Sequence, residues 1–388
     1  MSTTALDRPW RRALIWGVGL TLAARLVAVL LAGAMWAGGD IPTEGETATH
    51  LYLGSEPITE GIPGWTLGVW QRHDTNHYLA IADHGYTDPN DVVFPPGYPL
   101  AIRAVAALPL IDPLVAALLI ATAATALALT LLYRLTEEEL GTTAAERGTI
   151  AQIAFPTGYV LIAAYAEPLM LLFTVLGFFL ARRRRWWGAA AAGFAAGSVR
   201  LLAVVLAVPM AIMAWRAYGK EAWRRPGVVA AVLGAPLAFA AHSIYLAAAD
   251  LPSVAAAYRD RWKSVASIPG HDVVVAVKRL VTEGLPAART FALLMLVVAV
   301  ALTVLAFRRL PLEYGAYAAA LILLVLSRHD QTGRPLLSFS RHAVLLFPGF
   351  MAVGATPLPR PARLALTALS LALGLVLMGI FFMWGFTE

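Results

Sequence analysis

The side chains best suited to chemistry fall in one stretch, Trp70-Gln71-Arg72-His73-Asp74-Thr75-Asn76-His77-Tyr78-Leu79-Ala80-Ile81-Ala82-Asp83-His84-Gly85-Tyr86. It offers a carboxylate that can take a proton and imidazoles that can exchange protons or bind an ion. Trp70, Asp74, His77 and Ile81 recur at i, i+4, i+7 and i+11, the spacing of one helical face, and Gly85 is placed to end the helix. The pattern predicts an amphipathic helix lying at a membrane interface. A simply solvated stripe is the alternative for Asp74 and the histidines. His73 and His77 at i, i+4 can share an ion with Asp74 as a third ligand. No further His/Glu motif of matching spacing closes that set, although His84, His329 and His342 are other imidazoles, so neither a metal nor a cofactor is expected.

The elements that position these groups are set by the solvent, and composition says what that is. The chain has 388 residues, 59% hydrophobic and 14% charged, with a mean hydropathy of +0.68. A soluble domain carries about 25% charged residues, so this chain is short of water-facing surface. Its apolar runs are long enough for helices to span a bilayer, which takes about 20 residues. No block of ordinary charge density is long enough for a separate soluble domain, so residues 1–388 are expected to form one membrane domain.

The net charge of +6 does not point to nucleic acid, because the basic residues sit in short clusters between apolar runs, the placement that orients membrane helices. Only Lys220, Lys263 and Lys278 are lysines, an arginine bias that fits a GC-rich, bacterial genome. The absence of cysteine excludes disulfides and thiolate metal sites. The stretch after Arg8, Arg11 and Arg12 reads as a retained first helix rather than a cleaved signal.

Spans are expected at 12–36, 113–134, 149–164, 167–181, 188–200, 201–215, 228–249, 288–307, 314–327, 342–356 and 362–385. Clusters at Arg182-Arg183-Arg184-Arg185, at 216–225, at Arg308-Arg309 and at Arg360 and Arg363 belong on the cytoplasmic side. That parity makes 188–215 a hairpin, keeps 97–110 from crossing, and gives eleven crossings of an all-α polytopic fold. The remaining ionisable residues then fall almost entirely on the opposite face, in the 37–96 loop, the turn at Tyr165 to Pro168, the bend at Arg200, and the 250–287 and 328–342 loops. Ionisable groups gathered at one face of a membrane protein mark a functional site.

The 73–86 run, followed by Val93-Phe94-Pro95-Pro96-Gly97-Tyr98-Pro99-Leu100, resembles the first-loop signature of the PIG-V family, GPI mannosyltransferase 2 and its bacterial relatives in the GT-C superfamily. Tyr165-Ala166-Glu167-Pro168-Leu169 resembles that family's Tyr-Ser-Glu-Ser-Leu step. Gly197-Ser198-Val199-Arg200, then Ser340-Arg341-His342 leading to Phe347-Pro348, follow in the expected order. The likeness runs from about residue 65 to 350. His73 stands where the family has tryptophan, and Ala166 and Pro168 replace the serines around Glu167.

The resemblance implies a GT-C-like bundle and an inverting transfer of mannose from a polyprenyl-phosphate donor to a glycan, glycolipid or protein acceptor outside a bacterial plasma membrane. Such a reaction needs a carboxylate to accept the hydroxyl proton and cations to stabilise the departing phosphate. By its match to the family aspartate, Asp74 takes the first role, since an ordinary aspartate is ionised at neutral pH. Arg200, set in an apolar stretch, and Arg341 take the second; an internal pair with Glu167 is the alternative for Arg200. His73, His77, Tyr78, Tyr165, Glu167 and His342 complete the expected substrate-binding set. Two other classes compete: a transporter or flippase, which would carry ionisable groups at mid-membrane on broken helices, and an accessory subunit that keeps the fold without the activity.

Overall fold

The computed structural model describes residues 8–47, 50–284 and 287–385. Helices dominate it, and among the described residues six are long and apolar enough to cross a membrane, with the segments Arg8–Gly38, Pro113–Leu140, Leu201–Arg224, Pro226–Ala248, Ala287–Arg309 and Arg360–Phe382. The protein is an all-α polytopic membrane protein. The described residues form two compact units, one drawn from 8–80, 101–176 and 350–385, the other from 81–100 and 177–349.

In the first unit, Arg8–Gly38 packs along Pro113–Leu140. Gly17 makes the approach possible, since a Cβ there would stand 2.7 Å from the Ala126 carbonyl oxygen. Polar groups on this helix are tied across it: Arg12 pairs with Glu146 at 2.9 Å, and Trp16 Nε1 donates to Thr149 Oγ1 at 2.9 Å. Arg25 donates from Nε to Thr122 Oγ1 at 2.9 Å and from Nη2 to the Leu118 carbonyl at 3.1 Å. Donors buried in lipid or protein need such partners, because water is not there to supply them.

In the second unit, Trp186–Val199 lies against Pro226–Ala248, with Gly197 and Gly234 at the crossing. A Cβ on Gly197 would stand 2.7 Å from the Ala235 carbonyl oxygen, and one on Gly234 2.6 Å from that of Ala190. Phe178, Tyr314, Tyr317 and Phe347 form an aromatic cluster with centroids 5.1–6.3 Å apart, and Glu313 sits between Arg216 at 2.8 Å and Arg182 at 3.8 Å.

Several expected elements form differently. The 149–164 stretch is not one helix: Thr142–Ile153 stops before Pro156, and a 3-10 turn, Gly158–Leu161, follows. Proline removes a donor and disfavours helix in the residue before it. The 342–356 stretch breaks into Phe339–His342, the 3-10 turn Ala343–Leu345 and Phe347–Gly354, where Pro348 sits in the first turn that tolerates it. The 250–287 segment contains two helices, Val254–Asp260 and His271–Glu283, and a strand β1, Ser264–Ala266. That strand pairs antiparallel with β2, Arg328–Asp330, in the register Ser264 to Asp330, Val265 to His329 and Ala266 to Arg328.

Candidate active site

The predicted first-loop helix forms as Asp74–His84, and Gly85 follows it at φ +76, in the left-handed region that releases the last turn. It starts later than the spacing suggests. Trp70 closes a separate 3-10 turn, Gly68–Trp70, and His73 has φ +50. That left-handed residue turns the chain so that Asp74 opens the helix. The i, i+4 geometry considered for an ion on His73 and His77 therefore does not form, because His73 lies outside the helix.

Within the first unit, the turn is held by Arg72, which is 2% exposed. Its Nη1 donates to the Gly68 carbonyl at 2.8 Å and to that of Gln71 at 3.2 Å, while Nε donates to the Phe382 carbonyl at 3.1 Å. Its guanidinium lies 4.7 Å from the Trp384 ring centroid. Burial lowers its pKa to about 10, opposed by Tyr52, so it stays charged at neutral pH. Asn76 donates to the Leu51 carbonyl at 2.8 Å, and Gln71 bonds the backbone at Glu56 and Ile58, which fixes the preceding loop against the turn.

Asp74 is half-buried, with Oδ2 shielded from solvent. Its place in the first turn sets the carboxylate at the positive end of the helix dipole. His73 Nε2 lies 3.3 Å from the Gly385 carbonyl oxygen, and its ring packs 5.8 Å from Phe381 and 5.7 Å from Trp384. Tyr165 meets the same Phe381 ring at 5.9 Å, so His73 and Tyr165 share one aromatic neighbour. Glu167 is fully buried and opens the helix Glu167–Arg182. His77 is half-buried, whereas Tyr78 is fully buried and presents no ring to solvent.

Within the second unit, three of the sequence blocks meet. The 94–99 turn abuts the 197–200 block: a Cβ on Gly97 would stand 2.6 Å from the Ser198 carbonyl oxygen, so only glycine fits without displacement. Arg200 ends Trp186–Val199 in an extended conformation, φ −146 and ψ 132, and is 8% exposed. Its Nη2 lies 3.2 Å from His342 Nε2. A guanidinium carries donors alone, so that nitrogen must accept and the His342 ring in this contact is neutral. Arg341, half-buried, adjoins it in the short helix Phe339–His342. This unit therefore holds Arg200 against the imidazole of His342, with Arg341 next to that histidine in the sequence.

Trp384 is 8% exposed and stacks on His50 at 4.9 Å, making it a packing residue of the first unit. Trp262 is half-buried: its Nε1 donates to the Asn90 carbonyl at 3.0 Å and its ring meets Phe94 at 5.8 Å, bracing the 94–99 turn. The neighbouring Arg259–Asp260 pair, at 2.7 Å, is exposed. Arg72 was the residue least visible beforehand, although its position beside His73 and Asp74 placed it in the informative run.

Neither a protein-family model nor a curated protein matches the chain. Two solved structures align with it. One is ArnT from Cupriavidus metallidurans bound to undecaprenyl phosphate, with 15% identity over 80% of this chain and 63% of that one, and a TM-score of 0.48. The other is the apo state of the same protein, with 14% identity over 82% of this chain and 74% of that one, and a TM-score of 0.47. The chain thus spans less than two thirds of the length of the lipid-bound structure's chain.

Proposed function

We propose that the chain is a membrane glycosyltransferase of the GT-C type, which moves a sugar, mannose by its PIG-V resemblance, from a polyprenyl-phosphate carrier to an acceptor hydroxyl on the extracytoplasmic side. The observation that carries this reading is the held turn at Asp74, where a buried arginine brace and a left-handed His73 set one carboxylate at the start of a helix. Supporting it are the ordered sequence blocks from 73 to 348 and the Arg200, Arg341 and His342 group, a donor cluster suited to phosphate.

In this mechanism the acceptor oxygen attacks the anomeric carbon while the bond from that carbon to the phosphate oxygen breaks. The phosphate leaves with the bonding pair, and Asp74 takes the hydroxyl proton. Arg200 and Arg341 offset the charge growing on the phosphate. Configuration inverts and no sugar becomes attached to the protein. In this reading Tyr165, Glu167, His73 and His77 position sugar hydroxyls or the carboxylate, and Tyr78 supports the helix from within.

The test is release of polyprenyl phosphate from labelled polyprenyl-phosphate-mannose by the purified protein in proteoliposomes, with transferred label found in an acceptor fraction from bacterial envelope. Bond formation at that donor supports the reading. Movement of intact donor across the bilayer, with no new glycosidic bond, sinks it in favour of a flippase.

A further inference from the structure

Outside the residues assigned to transfer, one group of ligand atoms converges among the described residues. We infer that His271, Asp272 and His329 form a binding site for a zinc-class divalent cation, a site that does not depend on the transferase reading. The ligand atoms of the three lie within 4.8 Å of one another. His271 Nδ1 is 3.3 Å from Asp272 Oδ1, and His329 Nδ1 is 2.5 Å from the same oxygen. The imidazole rings stand edge to face at 4.5 Å.

Zinc takes nitrogen ligands at about 2.0–2.1 Å and carboxylate oxygen at a similar distance, in a tetrahedron. Two ligand atoms on such a tetrahedron are about 3.3–3.4 Å apart. The His271 pair already has that spacing, and the His329 pair must open by about 0.8–0.9 Å to reach it. Side-chain rotation can supply this, since His271 and His329 are 42% and 29% exposed while Asp272 is 5% exposed. Two histidines and one carboxylate leave the fourth position to water. Imidazole ligands favour zinc over magnesium or calcium, which prefer oxygen.

The surrounding chain holds the carboxylate in place. Asp272 Oδ2 accepts the backbone N–H of Asp330 at 3.1 Å, leaving Oδ1 aimed at the imidazoles. Asp330 itself is occupied, its Oδ2 accepting from Thr332 Oγ1 and the Arg334 N–H, both at 2.7 Å. Pairing of β1 with β2 fixes His329 opposite Val265, and Arg279 donates to the Gly333 carbonyl at 2.6 Å. A bound cation bridges the helix His271–Glu283 and the segment leading to Arg341 and His342 in place of the direct His329–Asp272 contact.

The experiment uses full-length protein in detergent, carrying an affinity tag without histidine and stripped of metal, titrated with Zn²⁺ by calorimetry and with Co²⁺ by visible absorption. The expected result is one equivalent of zinc at micromolar affinity or tighter, with the intense absorption of tetrahedral Co²⁺ and no displacement by Mg²⁺ or Ca²⁺. His329→Ala should weaken binding by at least about tenfold, because loss of even an outer-shell partner costs about 10–100-fold. The H271A/H329A pair should remove the equivalent, while His84→Ala, at an exposed histidine elsewhere, leaves it. Retention of the equivalent in the double variant, or no uptake by the parent protein, overturns the assignment. Because the readout is metal content, it stands or falls separately from any transfer activity.

Discussion

Replacing Arg72 with methionine removes the brace on the Asp74 turn and leaves its volume nearly filled. Three carbonyls lose a charged donor, but unequally. The Gly68 oxygen still accepts from the Gln71 N–H at 3.0 Å, and the Gln71 oxygen from Asn76 Nδ2 at 3.2 Å. Those two losses are assigned about 1 kcal/mol each, and the Phe382 carbonyl about 2 kcal/mol. Contact with the Trp384 ring adds about 1 kcal/mol. Removing a buried charge recovers desolvation, taken as about 2 kcal/mol, so the net loss is about 3 kcal/mol. Arg72→Lys keeps the charge but not the fork, and is expected to lose about 2 kcal/mol. Equilibrium unfolding in mixed micelles, followed by tryptophan fluorescence, measures both. A methionine variant within about 0.5 kcal/mol of the parent, or a lysine variant equal to it, would refute the fork as the brace.

Three further outcomes follow from the packing and the donor group. Gly68→Ala places a Cβ against the Ile58 carbonyl, backbone that cannot yield cheaply, and should cost about 1–3 kcal/mol in the same unfolding measurement. Glu313→Gln leaves the shape but removes the charge between Arg216 and Arg182; because those side chains are 55% and 39% exposed, the loss should be about 1–2 kcal/mol and shrink in high salt. Arg200→Lys keeps one positive charge while losing the planar donor, and should lower kcat/KM for the lipid-phosphate donor by about 10²-fold, read in a steady-state transfer assay.

What the sequence made legible is what depends on near neighbours. The helix carrying Asp74 follows from period and a terminating glycine, and the long apolar runs form the long helices. Its starting residue did not follow, because a left-handed His73 is fixed by contacts with Phe381, Trp384 and Gly385, about three hundred positions away. Arg72 as a brace was hidden for the same reason. Pro156 and Pro348 were visible as helix breakers, yet hydropathy alone ran through both. The β1 and β2 strands are three residues each, too short for an alternating pattern to register, and the ion site they support joins Asp272 to a histidine 57 residues later. Of the donor group, Arg200 was legible by its cost in an apolar stretch; its contact with His342 depends on a fold that spacing does not encode.

The central claim is that Asp74 takes the acceptor proton. Its most direct test is Asp74→Asn, which keeps size and hydrogen bonding but cannot serve as the base. Turnover with polyprenyl-phosphate-mannose should fall by at least about 10²-fold, while donor binding, measured separately by equilibrium dialysis into liposomes, stays at the parent level. An asparagine variant that turns over within a few-fold of the parent contradicts the account.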